Sequence, residues 1–447
     1  MINVGIIGFG TVGTGTAKIL LENKDVISQR TGFDINLKKI ADLDIKKSRG
    51  IKLPEGILTT NADDILNDPE INIVIELIGG IHPAKELILK AIRNKKHVVT
   101  ANKALIATEG NEILAEAEKH GVEIGFEASV AGGIPIIKII KEGLVANRIL
   151  AVYGIINGTS NYILTKMTDE GIEFSDALKE AQRLGYAEAD PTYDIEGIDS
   201  AHKLAILASL AYDIPLSFND VYKEGITRIT SQDIGFAGEL GYKIKLLAIA
   251  KASGGKVELR VHPTMIPKDY LISKVDGVFN AIYVQGDAVG DTLYYGRGAG
   301  DMPTGSAVVS DIVDIGKKLM LQDTGCDPSQ SPLTKGGSKG GYRASCVLHH
   351  ASLPIKKIED IEAMYYFRFT AFDKPGVLSS ISGVLGSYNI SITSVIQKGR
   401  SLGEAVPLIV LTHTAKEKDV IKAVAEIDRL SVVADKTLYI RVEGKEE

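Results

Sequence analysis

"INVGIIGFGTVG" (residues 2–13) decides how this chain folds. An apolar run of strand length ends at Gly8, and a helical pattern takes over from about Thr11. Between them, Gly8, Gly10 and Gly13 match G-x-G-x-x-G. Glycine there permits a tight turn and lets the backbone approach a pyrophosphate, whose charge is stabilised at the helix N-terminus. With 46 glycines in the chain an accidental match is easy, and a plain strand-to-helix turn is the alternative. The order strand, loop, helix favours a dinucleotide site.

Working outward, "INLKKIAD" (35–42), "INIVIEL" (71–77), "HVVTA" (97–101) and "VEIGFEA" (122–128) are further strand-like runs separated by helix-length segments. This alternation predicts an α/β dinucleotide-binding domain over residues 1–130, with a Rossmann-type doubly wound parallel sheet. Residues 131–217 read as largely helical around "ILAVYGIING" (149–158), and strands return from about 240 to 295. An α+β substrate-binding and catalytic domain is expected over 131–302. A helix beginning near Pro303 and running to 322 is expected to pack back on the first domain, proline being favourable in a first turn. Residues 323–362, with the glycine-rich "LTKGGSKGGYR" (333–343), read as a flexible connection. From 363 to 447 the pattern is βαββαβ, the ferredoxin-like order.

Composition sets the class. At 45% hydrophobic and 24% charged residues over 447, this is ordinary globular material. A net charge of −6 with no long basic run argues against nucleic-acid and membrane partners. Two cysteines, Cys326 and Cys346, fit a reducing compartment and suggest neither a disulfide framework nor a zinc site. The N-terminus lacks the basic region and cleavage site of a signal peptide, and no apolar run reaches the roughly 18 residues of a membrane span. A soluble cytoplasmic protein is expected.

The second strand ends in "KIADLDIKK". Asp42 or Asp44 there can accept hydrogen bonds from an adenosine 2′-OH and would repel a 2′-phosphate. Lys46, Lys47 and Arg49 pull the other way, and the balance favours NAD over NADP. Lys103, in "VVTANKALIA", stands just past the fourth strand at a helix start, where a cation is poorly placed unless something anionic is near. In "GIDSAHKLAILASLAY" (197–212), Asp199 and Lys203 are four residues apart on an otherwise apolar helix. A surface ion pair of that kind would contribute only about 0.3–0.5 kcal/mol. The preceding "GYAEADPTYDIEG" adds Glu188, Asp190, Asp194 and Glu196. Five carboxylates ahead of one lysine suggest a pocket for a cation such as an amino-acid ammonium group.

With these motifs in view, the sequence resembles homoserine dehydrogenase. "GFGTVG", "VVTANKALIA", "EASVAGGIPII", "INGTSNYIL", "GYAEADPTYDIEGIDSAHK" and "GAGDMPTGSAVVSDI" are similar to that family's motifs, in its order, over residues 1 to about 320. "DKPGVLSSISGVL" followed by "NISI" resembles an ACT domain, an amino-acid-sensing module. The resemblance is to the form without an aspartokinase part. It implies NAD(P)-dependent interconversion of L-homoserine and L-aspartate 4-semialdehyde, on the route to threonine, methionine and isoleucine. It also implies roles. Lys203 would be the acid/base group, assisted by Lys103. Glu188 and Asp199 would hold substrate, and Asp194 would order the loop or the lysine. Gly8, Gly10, Thr11, Val12, Gly13, Asp42, Thr100, Lys103, Gly185 and Gly300 would line the dinucleotide. Glu127, Val130, Gly132 and Ile134 match the family's monovalent-cation site, usually sodium on backbone oxygens. L-threonine is the expected effector at the ACT domain, and a homodimer or homotetramer the expected assembly. Leu43 stands where many NADP-using members carry arginine, which agrees with the charge reading.

Two rival functions are weaker. Aspartate-semialdehyde dehydrogenase needs a cysteine nucleophile, and Cys326 and Cys346 both lie past the catalytic pattern. A non-catalytic amino-acid sensor has no use for both lysines and Glu188.

Overall fold

β1 (Ile2–Ile7) is buried at five of its six positions, as a strand covered on both faces must be. It joins β2 (Ile35–Ala41), β3 (Leu58–Thr59), β4 (Ile73–Glu76), β5 (His97–Thr100) and β6 (Ile124–Gly125) in a six-stranded sheet ordered β3-β2-β1-β4-β5-β6. Every pairing is parallel. The computed structural model describes residues 1–323, 353–397 and 404–444. Cys326, Cys346 and the "LTKGGSKGGYR" connection lie outside the described residues.

Strand order reverses at β1, with β2 on one side and β4 on the other, so a ligand crevice is expected beyond their carboxyl ends. Register brings the exits together. Ile7 pairs with Ala41 and with Glu76, and Glu76 pairs with Thr100. Gly8, Asp42, Leu77 and Ala101 therefore leave the sheet side by side. Gly8 has φ +101°, and a Cβ there would stand 2.6 Å from the Leu77 carbonyl carbon. Only glycine fits.

The sheet's helices follow from the same spacing argument. The helix predicted near Pro303 spans Asp301–Asp323, with Pro303 in its first turn. It packs on the helix Thr11–Glu22, and the contact is backbone to backbone. A Cβ on Gly15 would lie 2.2 Å from the Asp301 carbonyl oxygen, and one on Gly305 would lie 2.8 Å from the Thr16 nitrogen. Ile6, Leu20, Val308 and Ile312 are buried in the resulting core. "VEIGFEA" departs from the expected strand. Only Ile124–Gly125 pairs, and Glu127–Ser129 coils into a 3₁₀ turn because the Glu127 amide donates to Asp311 Oδ2 (2.8 Å).

The second sheet contains β7 (Ile149–Ile155), β8 (Tyr222–Lys223), β9 (Tyr242–Ser253), β10 (Lys256–Pro267), β11 (Phe279–Gly286) and β12 (Gly290–Arg297). β12 runs two residues past the expected end of the strand region near 295. The C-terminal pattern supplies β13 (Glu362–Phe372), β14 (Ile392–Gln397), β15 (Ala405–Thr412), β16 (Ala415–Lys416) and β17 (Leu438–Val442), with helices Val377–Ser387 and Glu417–Ile427 between them. These are the expected βαββαβ elements plus the short β16. Both strand sets form one sheet, ordered β12-β11-β7-β9-β10-β17-β13-β15-β14, with β8 against β10 and β16 against β13. The join is the parallel pair β10–β17, through Thr264↔Arg441 and Met265↔Val442. β13 shows the period of two. Tyr365, Phe367 and Phe369 enter the core beneath the two C-terminal helices, while Tyr366 and Arg368, between them, reach Asp233.

The chain divides into two compact units. One contains Met1–Arg148, Ala205–Phe218 and, of the described residues, 294–323; the other contains Ile149–Leu204, Asn219–Leu293, 353–397 and 404–444. The expected bounds at 130, 302 and 363 cut the chain differently. Residues 127–138 are tied to the helix Asp301–Asp323 by Glu127–Asp311 and Lys138–Asp314 contacts. The ferredoxin-like part shares a sheet with the catalytic strands, so it groups with them.

Candidate active site

β7 ends at Ile155, and the residues after it build the lysine site. Lys203 is 8% exposed, on the helix Ile198–Tyr212. Its Nζ donates to Asp199 Oδ2 (2.7 Å), one turn back, and to the Ile156 carbonyl oxygen (2.6 Å). Asp199 is only 2% exposed. This is a buried pair, and the surface-pair alternative falls. Asn157 caps the next helix, Gly158–Glu170, by accepting from the Ser160 amide (2.8 Å). Its Nδ2 donates to Asp194 Oδ1 (2.7 Å) and to Asp199 Oδ2 (2.9 Å). Ser160 Oγ donates to the Asp194 carbonyl (2.9 Å), fixing the short helix Thr192–Ile195.

Of the five carboxylates expected around a cation, two converge on this lysine network, Asp194 and Asp199. Asp190 instead turns its own loop, accepting from the Thr192 amide (3.1 Å) and hydroxyl (2.6 Å). Glu196 accepts from the Thr227 hydroxyl (3.3 Å). Glu188 stands exposed on the loop that follows Gly185, its carbonyl held by Gln182 Nε2 (3.1 Å). Gly185 takes φ +76° at the end of the helix Phe174–Arg183. Two participants escaped the sequence reading: Asn157, inside a motif it quoted, and Tyr193. Tyr193 stacks on His202, and its hydroxyl lies 2.7 Å from His202 Nδ1.

The other unit holds the glycine loop. Open space faces Gly10, where a Cβ would meet nothing within 4 Å, and the helix from Thr11 has no side-chain cap and no acidic residue in its first turn. Its amides therefore suit a pyrophosphate. Asp42 is committed to the loop. Oδ2 accepts from the Phe9 amide (2.6 Å) and Oδ1 from Arg49 Nη2 (3.1 Å). Arg49 also donates through Nε to the Phe9 carbonyl and lies over the Phe9 ring. Leu43 is 93% exposed.

Past β4 and β5 lies a second brace. Glu76 is fully buried, accepting from the Ile78 amide (2.9 Å), the Gly79 amide (3.3 Å) and the Thr100 hydroxyl (2.7 Å). Burial pushes its carboxyl above the ordinary range against those hydrogen bonds. The Thr100 hydroxyl also accepts from the Asn102 amide (3.0 Å), so this side chain serves the protein internally. Asn102 Nδ2 donates to the Gly80 carbonyl (2.6 Å) while Oδ1 caps the helix Lys103–His120. Lys103 is its first residue. Gly300, φ +123°, precedes the helix Asp301–Asp323.

At the expected cation turn, Glu127, Val130, Gly132 and Ile134 are all buried. The Glu127 carboxylate is occupied by the Ile137 (2.9 Å) and Lys138 (2.8 Å) amides, which leaves backbone oxygens as the candidate donors. Burial raises Glu127 to about 7 and Asp311 to about 8. Among the described residues, no group of three or more His, Cys, Asp or Glu side chains is placed to hold a metal ion. None of their helices is long and apolar enough to cross a membrane.

Residues 135–313 match the family Homoserine dehydrogenase, residues 8–127 match Homoserine dehydrogenase, NAD binding domain, and residues 365–431 match the ACT domain. A homoserine dehydrogenase of Pseudomonas aeruginosa is 48% identical over 445 residues, 99% of each chain. The chain belongs to the homoserine dehydrogenase family. The crystal structure of a homoserine dehydrogenase from Thiobacillus denitrificans agrees at a TM-score of 0.90 and 50% identity, over 99% of this chain and 98% of that one. A hyperthermophilic archaeal homoserine dehydrogenase mutant in complex with NADPH is 28% identical, with a TM-score of 0.60 over 71% of this chain and 98% of its own. As a member of the family, the chain is an NAD(P)-dependent oxidoreductase that interconverts L-homoserine and L-aspartate 4-semialdehyde. The Rossmann-type sheet, the catalytic domain and the ACT domain are those the sequence led us to expect.

Proposed function

We propose that Lys203 moves the proton of this reaction, with Lys103 assisting, and that Glu188 and Asp199 bind the amino-acid substrate while Asp194 orders the loop. The carrying observation is the buried Lys203 Nζ, 2.7 Å from Asp199 Oδ2 and 2.6 Å from the Ile156 carbonyl. A carboxylate at that distance favours the ammonium form, which donates a proton to the oxygen of the aldehyde during its reduction and recovers it from the hydroxyl in the reverse direction. A bound nicotinamide supplies or accepts the hydride. Gly8, Gly10, Thr11, Val12, Gly13, Asp42, Thr100, Gly185 and Gly300 would line it, Thr100 through its backbone. Absorbance at 340 nm tests the assignment. Lys203→Ala should retain less than about a tenth of kcat, general acid/base catalysis being worth 10²–10⁴-fold. NADH binding, followed by fluorescence, should persist. A variant keeping more than that overturns the role.

NAD is the preferred cofactor, supported by Asp42 and by exposed Leu43. L-Threonine acts at the ACT domain, where the helix Val377–Ser387 begins at Gly376 (φ +90°), whose lack of a side chain leaves the helix amides to a carboxylate. Among the described residues β14 ends the path of the sheet, and a strand in that place suits pairing with a second copy in a homodimer or homotetramer. Sodium or another monovalent cation binds backbone oxygens at the buried turn that carries Glu127, Val130, Gly132 and Ile134, the residues that match the family's cation motif. The scarcity of cysteine fits a cytoplasmic setting.

A further inference from the structure

We infer that Asn157 is the positioning residue of the proton-transfer site, holding Asp194 and Asp199 on one amide group so that Lys203 meets the reacting oxygen in a fixed place. The inference rests on the acid/base role proposed for Lys203. Its geometry uses each hydrogen-bonding group of the side chain. Oδ1 accepts from the Ser160 amide (2.8 Å), while Nδ2 sends one hydrogen to Asp194 (2.7 Å) and the other to Asp199 (2.9 Å). The same oxygen of Asp199 also takes Lys203 Nζ (2.7 Å), and the carbonyl just before Asn157, that of Ile156, takes Nζ from another direction (2.6 Å). Two consecutive residues at the β7 exit thus set the ammonium, one by main chain and one through Asp199.

The chemistry selects asparagine. The position asks for one acceptor and two donors in a plane, which is the inventory of a carboxamide. Aspartate would keep the helix cap but set a third carboxylate against two others. Serine would keep the cap, since it is a good N-cap residue, and put one short hydroxyl in place of the two amide hydrogens. Asn157 is 6% exposed, so water does not readily replace what is lost. The titratable groups on the segment around Lys203 are Asp199 and His202 on its helix and Asp194 and Tyr193 on the preceding turn; Ile156, Asn157 and Ser160 contribute neutral groups.

Asn157→Ser, Asn157→Asp and Lys203→Ala, made in the full chain, test this together. For Asn157→Ser we expect kcat to fall at least about tenfold, in the range that misplacement of a catalytic group costs, with KM for the dinucleotide unchanged and the pH profile of kcat displaced. For Asn157→Asp the displacement should be toward higher pH, because an added negative charge makes the ammonium hold its proton longer. Lys203→Ala should be inactive. If Lys203→Ala is inactive but the Asn157 variants keep the wild-type pH profile, whether or not they are slower or melt earlier, Asn157 is structural only and the inference is overturned while the Lys203 role stands. If Lys203→Ala turns over normally, the underlying role fails and the inference with it.

Discussion

Arg260 Nη2 and Glu443 Oε1 meet at 2.6 Å across the β10–β17 seam, one residue from the catalytic part and one from the ACT part. The arrangement is reciprocal. Arg441 of the ACT part reaches Glu224 of the catalytic part at 2.9 Å, and Arg368 reaches the buried Asp233 at 2.7 Å. Removing one member of a buried pair strands the other, at a cost of about 3–5 kcal/mol. Lys251 remains 2.6 Å from Glu443, so Arg260→Met should fall near the lower end of that range. The melting temperature should drop clearly for Arg260→Met and recover in part for Arg260→Met/Glu443→Met, where Glu258 keeps Lys356 at 2.9 Å and only the part-exposed Lys251 loses its carboxylate. A double variant as unstable as the single one would show that the pair itself holds the seam.

The seam also governs how feedback control must be tested. A chain cut after residue 352 takes β17 from the edge of β10, Glu443 from Arg260, and Arg368 and Tyr366 from Asp233, so it is expected to aggregate. Threonine should therefore be tried on the full chain. Inhibition should be noncompetitive against homoserine, with slowed amide exchange over residues 373–380. Competitive inhibition with unchanged exchange there would place threonine at the substrate site and end the regulatory proposal.

Cofactor preference turns on the exit of β2. Arg49 donates to the Phe9, Asp44 and Lys47 carbonyls as well as to Asp42, so its guanidinium is spent bracing the glycine loop. On that ground kcat/KM with NAD should at least equal that with NADP, and Leu43→Arg should move the ratio toward NADP by about tenfold, the value of a charge-assisted contact near 1.5 kcal/mol. Arg49→Ala should raise KM for both cofactors. A selective loss of NADP use in Arg49→Ala would instead make Arg49 a phosphate ligand.

Local pattern made much of this legible. The apolar run before Gly8, the alternation along β13 and the Asp199–Lys203 spacing each carry their reading in neighbouring residues. What stayed hidden is long-range. The β10–β17 pairing joins residues far apart in the chain, and no periodicity announces it. "VEIGFEA" has strand composition, yet Glu127 is drawn out of the strand by Asp311. Asn157 sat inside a quoted motif, but its use depends on Asp194 and Asp199 arriving from another element. Of five nearby acidic residues, the sequence could not say which two would face the lysine.

Glu76 offers a pH test inside the dinucleotide-binding unit. Burial raises its carboxyl above the ordinary 4.5, outweighing the donors Thr100, Ile78 and Gly79. A carboxyl with a raised folded-state value holds its proton more tightly folded than unfolded. The stability it contributes is complete below the unfolded value and is lost as pH rises through the folded one. Glutamine keeps an acceptor for the Ile78 and Gly79 amides and stays neutral throughout. The melting temperature of Glu76→Gln relative to wild type should therefore climb as pH rises above the ordinary 4.5, whatever other groups contribute in common. NADH affinity should be retained, since the loops past β4 and β5 keep their brace. A difference that stays flat across that range would mean that Glu76 ionises normally in the folded protein, its hydrogen bonds having offset its burial.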